Sequence, residues 1–157
     1  MSKAEREYHG RTAANCFNKT WDYLVMKERT LEDDRQMLLL AHASRYHWGI
    51  VGTPRNKAVG EWQISRVYAA LGEPTLALRF AKASLASCRK GGLVDLVHTA
   101  YEAVARAHAL AGDNEVARRC LDRARKHLGG LILDDEQRRV YSEQIQETEA
   151  MIRQPPT

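Results

Sequence analysis

The sequence predicts an all-α domain of stacked antiparallel helical hairpins, and three observations carry that expectation. Apolar residues recur at spacings of three and four through most of the chain, glycines fall where each such run ends, and the regions around Gly72 and Gly112 align when the chain is slid along itself by 40 positions. Spacings of three and four place side chains on one helix face, and glycine supplies the left-handed residue on which helices commonly stop.

At 157 residues the chain has the length of one domain, and a domain of that size buries about 70% of its unfolded surface around a single core. A 44% hydrophobic and 28% charged composition with only four prolines excludes a disordered chain and favours helix over strand. The net charge of +4 comes from 24 basic and 20 acidic residues, giving a pI near 9.1. The charges are interleaved, and no clustered basic stripe with readout elements is present, so a nucleic-acid partner is not expected. The N-terminal MSKAEREYHG is charged where a secretory signal needs an apolar core. No apolar run reaches the roughly 18 residues that span a bilayer, so no membrane partner is expected and the cytoplasm is the expected compartment. Cys16, Cys88 and Cys120 are widely spaced and form no C-x-x-C pair, which reads as three small buried hydrophobes rather than a disulfide framework, a metal site or a catalytic thiol.

The elements follow in order. A first helix over about 11–27 carries Phe17, Trp21 and Leu24 on one face, and Thr30 with Asp33 forms a capping box that opens a second helix through Met37, Leu38, Leu40 and Ala41, stopping near Gly49 or Gly52. Thr53 caps a third helix over about 54–71, with Pro54 at the first helical position, where its missing N–H costs nothing. Gly72 ends it. A fourth helix spans about 74–89 and closes at Gly91-Gly92, a fifth about 93–111, and a sixth runs from the Gly112-Asp113 turn to about 128. The hairpins are therefore placed at about 11–50, 54–90 and 93–128 of a single domain. Asp134 with Gln137 starts a seventh, capping helix over about 134–153, with Tyr141, Ile145, Thr148 and Ile152 as its apolar stripe. Its other face, with Glu143, Gln144, Glu147 and Arg153, is expected to meet water, and Pro155-Pro156 to end it.

The 40-residue shift aligns Arg66 with Arg106, Ala69 with Ala109, Gly72 with Gly112, Ala77 with Ala117 and Arg79 with Arg119. Small residues at helix contacts and glycine in the turn are what a repeated hairpin requires. The segments RVYAALGEPTLALRFAKASL and RAHALAGDNEVARRCLDRAR resemble tetratricopeptide repeats. Tyr68, Gly72, Glu73 and Ala77 fit the family pattern in the first copy, and Gly112, Asp113, Ala117 and Ala124 in the second, where His108 replaces the aromatic. The departures are a repeat nearer 40 than the usual ~34 residues, Ser84 where the family prefers alanine, and no terminating proline. The stretch AHASRYHWG with GEWQISRVYA is similar to small bacterial tetratricopeptide-like proteins. The resemblance covers about residues 55–128 and implies a right-handed array whose first helices line a concave groove.

By that alignment Trp62, Arg66, Glu102 and Arg106 face the groove. Two guanidinium groups at equivalent positions of adjacent hairpins suit a carboxylate or phosphate, and Trp62 can stack on an aromatic or on arginine. The structural alternative is that the arginines pair with Glu61, Glu102 or Asp95 and hold the array together. The lysine and asparagine constellation with which chaperone-binding members of the family clamp a C-terminal carboxylate is missing from the matching places.

A second candidate pocket lies between helices two and three, where His42, Arg45 and Tyr46 share a face near Glu61 and Gln63. His42 and His47 sit about 140° apart around their helix and cannot readily share one metal. Arg119, Arg123 and Lys126 form a basic stripe on helix six that reads as a solvated face. The chain has no Walker-type loop, G-x-G-x-x-G, G-x-S-x-G or H-E-x-x-H. The leading expectation is a non-catalytic module, without metal or cofactor, that binds a peptide, a protein segment or another anionic ligand. The alternatives are a small helical enzyme or cofactor protein using the second pocket, and a protein that self-associates as a homodimer through an end hairpin.

Overall fold

The structure, a computed structural model, describes residues 1–153. Among those residues there is no strand, and seven helices follow one another: α1 (Lys3–Leu24), α2 (Leu31–Val51), α3 (Pro54–Ala70), α4 (Pro74–Lys90), α5 (Val97–Leu110), α6 (Asn114–Gly129) and α7 (Asp135–Arg153). Pro155-Pro156 lies outside the described residues.

The helix starts are the ones local chemistry favours. Thr30 and Asp33 form the expected reciprocal capping box, and Thr53 caps α3 with Asn56 completing a second one. Gln137 N donates to Asp134 Oδ1 at 2.8 Å at the head of α7. Three boundaries differ from expectation. Helix α1 ends at Leu24 rather than near residue 27, where the Met26 N–H turns back to Tyr23 O at 3.1 Å. Helix α1 starts at Lys3 rather than near residue 11, because Ser2 and Glu5 make a capping box at the head of the charged N-terminal segment. Helix α5 starts at Val97 rather than 93: the Leu93 N–H is spent on Cys88 O at 2.8 Å, and the Leu96 N–H turns back to Leu93 O.

Consecutive helices pack as antiparallel neighbours. Among the described residues the odd helices also touch one another, α1 with α3, α3 with α5 and α5 with α7, whereas α2, α4 and α6 make no such contacts. A slab whose one layer is in mutual contact and whose other layer is splayed bends toward the first. The odd helices therefore form the inner side of the curve, with α5 at its centre. Ten of the 14 residues of α5 are buried, four of them alanines that let neighbouring helices approach closely.

Burial repeats every forty positions through all three hairpins. Met37, Ala77 and Ala117 are buried, as are Ala41, Ala81 and Leu121, and Ser44, Ser84 and Ala124. The first hairpin thus obeys the periodicity that its sequence shows only loosely. Ser84, a departure from the repeat pattern, donates from Oγ to Ala58 O at 2.8 Å, and Ser44 makes the same bond to Ala13 O. Each hydroxyl is satisfied by the helix it packs on, so a polar atom costs little at a position that demands a small residue.

Gly72 and Gly112 mark corresponding bends, with φ of 74° and 84°. The following amides donate back to Tyr68 O and His108 O, each at 2.9 Å, which closes the helix carbonyls in a Schellman motif. A Cβ at either glycine meets nothing within 4 Å, so the cost of a side chain there is conformational alone. Gly72→Ala and Gly112→Ala are each expected to lose about 1–2 kcal/mol, additively, in urea unfolding.

Helix α7 is anchored by Ile145 and Ile152, which join the core shared by α5 and α6, and by Tyr141, whose ring stands edge-on to His98 of α5 at 4.4 Å. His98 is 1% exposed, and burial pushes its imidazole down to about 4 from 6.5. The unfolded chain binds this proton near pH 6.5 and the folded chain only near 4, so the neutral ring's contribution is complete above 6.5 and lost as pH falls toward 4. In chemical unfolding across that window, His98→Gln is expected to flatten the loss of stability.

Candidate functional site

The inner layer brings four odd helices around two arginines. Arg66 of α3 lies against two indoles, its Cζ 5.6 Å from the Trp62 ring centre one turn earlier and 5.7 Å from that of Trp21 on α1, while the two indole centres are themselves 5.7 Å apart. The side chain retains 14% of its exposure. Burial, and after it the charge of Arg106, push its guanidinium below the ordinary value, while Glu102 and Glu147 oppose that shift. A guanidinium remains charged under all ordinary conditions, so the site holds a buried cation that requires anionic neighbours.

Glu102 supplies one of them. Its side chain is 2% exposed, and Arg106, one turn later on α5, places Nε and Nη2 each 3.0 Å from its Oε1. The same oxygen accepts the Thr148 hydroxyl from α7. The other carboxylate oxygen, Oε2, has no hydrogen-bond partner, nor does Arg66 Nη1, 3.9 Å away. A buried acceptor and a buried donor therefore stand at a separation that one small polar group can bridge.

The second carboxylate is Glu147 of α7, whose Oε2 is 3.2 Å from Arg106 Nη2 and 3.8 Å from Arg66 Nη2. Its side chain remains 59% exposed. Two cations of equal depth and two anions balance, one carboxylate deep and the other at the rim. Beside them opens a cavity of about 530 Å³ bordered by Trp21, Leu24, Ala69 and α7, within the range of ligand pockets.

The four residues expected to face the groove are thus assembled in three dimensions, at different depths. Arg66 and Arg106 stand side by side, as their equivalent repeat positions imply. Glu102 is their buried counter-ion, in keeping with the structural alternative; Glu61 and Asp95 pair instead with Arg45 and Arg55. Trp62 packs on Arg66, and its Nε1 is buried without a partner. Trp21, Glu147 and Thr148 were not anticipated as site residues. Glu147 meets water as expected, its side chain 59% exposed, and the turn that buries Thr148 against Glu102 also delivers it to the arginines. Sequence spacing carried no signal for this, since α7 lies outside the repeated unit.

The second candidate pocket does not assemble. His42 Nε2 is 3.1 Å from Tyr68 OH, with the ring edge-on to Phe80. Arg45 crosses Gly60, where a Cβ would lie 3.0 Å from its Cδ, to reach Glu61 at 3.0 Å, and Glu61 also accepts Ser87 Oγ at 2.7 Å. Gln63 is buried toward α1, donating to Phe17 O at 2.9 Å, and Tyr46 is 67% exposed. Of the five residues, the structure brings Arg45 and Glu61 together as an ion pair, while His42, Tyr46 and Gln63 go to different surroundings.

The remaining candidates also find local explanations. Cys88 is buried and its thiol is pushed up to about 11 by desolvation, which disfavours the nucleophilic thiolate. On α6, Arg119 pairs with Glu115 and Arg125 with Asp122 and Glu149, while Arg123 lies over the Tyr101 ring. On the end hairpin, Leu31, Leu39 and Tyr46 of α2 are exposed. No helix among the described residues is long and apolar enough to cross a membrane.

The different depths of the two carboxylates predict different costs. Glu102→Gln leaves two buried guanidinium groups undercompensated and is expected to destabilise the fold by about 3–5 kcal/mol. Glu147→Gln removes a largely exposed pair and is expected to cost under about 1 kcal/mol. Denaturant unfolding of the two variants measures the contrast.

No family model, no curated protein and no solved structure matches this chain.

Proposed function

We propose that this chain is a non-catalytic, tetratricopeptide-like interaction module that receives an acidic peptide or protein segment on the inner face of α1, α3, α5 and α7. The carrying observation is Glu147: a carboxylate on a half-exposed side chain already sits between Arg66 and Arg106. A carboxylate from a ligand meets the same two guanidinium groups and can exchange with it at little net cost in charge.

Other features support this reading. Trp21 and Trp62 hold Arg66 in place before any ligand arrives, which lowers the entropy lost on binding. The adjacent cavity offers Leu24 and Ala69 for an apolar side chain next to the acidic one. Three free cysteines suit a reducing compartment, and we assign the module to the cytoplasm.

Fluorescence anisotropy with a set of labelled acidic and neutral peptides tests the proposal. Acidic peptides are expected to bind more weakly as salt rises. Arg106→Gln should lose about tenfold in affinity, a change of about 1.4 kcal/mol, and Glu147→Gln, which removes the resident competitor, should gain. A folded chain that binds no acidic peptide, or binds equally well in both variants, would remove the groove from the account.

A further inference from the structure

At the outer side of the first hairpin, two histidines face each other away from the groove. His9 of α1 and His47 of α2 bring their Nδ1 atoms to 2.6 Å, with ring centres 4.9 Å apart. Both residues are half-buried. Nitrogens at that distance share one proton, one ring donating and the other accepting through its lone pair. Two imidazolium rings are excluded from the arrangement, because neither would then offer the lone pair that accepts the shared proton. The Tyr8 ring stands edge-on to both imidazoles, at 5.6 and 6.1 Å, and Tyr46 stands 5.4 Å from His47. Aromatic rings thus flank the pair, and the 4.9 Å between ring centres sets the two Nδ1 atoms head-on.

We propose that His9 and His47 form a two-imidazole site for a zinc-class divalent ion. Neutral imidazole nitrogen binds such ions at about 2.0–2.1 Å, which at a tetrahedral centre sets two donors about 3.3 Å apart. The Nδ1 atoms must therefore separate by about 0.7 Å beyond their present distance, and each ring must swing by roughly 35° so that lone pairs now aimed at one another converge on the ion, a movement that side-chain rotation on two half-exposed residues supplies. The proton now between the rings moves through solvent to Nε2 of its own imidazole. Both Nδ1 lone pairs then point at the ion, two coordinate bonds form, and no net proton is released.

No third acidic, cysteine or histidine ligand joins them in a cluster among the described residues, so water fills the remaining positions. Glu5, one turn before His9, already accepts the Ser2 N–H as part of the α1 cap and contributes negative field rather than a bond. The bound ion would clamp α1 to α2 one turn beyond the buried contact of Ser44 with Ala13.

Titration calorimetry with zinc chloride, in a non-chelating buffer above the imidazole range, tests the site on the full chain. One ion per chain is expected. His9→Gln and His47→Gln should each weaken binding roughly tenfold or more, while His108→Gln, whose ring lies beside Asp113, should leave it unchanged. The absence of one-to-one binding by the wild type, or equal binding by both pair variants, overturns the proposal. Zinc-induced shifts of the wild-type imidazole NMR signals need no substitution. Shifts confined to His9 and His47 support the site, and shifts spread over other histidines, or none, overturn it.

Discussion

The buried carboxylate of Glu102 is the constraint on which the inner layer depends. Its Oε1 alone receives two nitrogens of Arg106 and the hydroxyl of Thr148, and its neighbourhood keeps Arg66 neutralised beneath two indoles. One side chain of α5 therefore ties together α3, α5 and α7. An ion pair this deep gains little over an apolar packing of equal volume, since desolvation offsets the attraction. What it provides is position: the last helix seats where its threonine meets that oxygen.

The same tie explains why α7 belongs to the groove as much as to the end of the array. Ile145 and Ile152 supply the burial that any terminal helix needs to shield an apolar edge. Thr148, on the same stripe, contributes a bond rather than apolar area, and it brings Glu147 over the arginines. Shielding and charge compensation are therefore joined in a single turn of helix.

Much of the fold was legible in the sequence because it is written locally. Thr30, Thr53 and Asp134 announce helix starts by chemistry confined to four residues, and Gly72 and Gly112 announce their ends by a backbone angle open chiefly to glycine. The equivalent placement of Arg66 and Arg106 followed from the same periodicity. The missed parts depend on long-range contacts. Glu102 and Thr148 are 46 positions apart, as are Phe17 and Gln63, and Trp21 reaches Arg66 across a helix pair. Around His42, Arg45 and Tyr46 the sequence showed polar density, but the direction of each side chain is set by the helices packed beside it. The early start of α1 is a different case: its capping box was present in Ser2 and Glu5, at the head of the charged N-terminal segment.

The turn after Gly92 extends the pattern of the two turns already compared. Its φ of 63°, with Leu93 N donating to Cys88 O, repeats at the junction between hairpins the joint found within them at Gly72 and Gly112. Three successive connections, twenty residues apart, are therefore interchangeable in backbone geometry. A chain built on one kind of hinge can lengthen or shorten by a whole unit without having to invent a new corner, and its curvature becomes a property of the side chains between the corners.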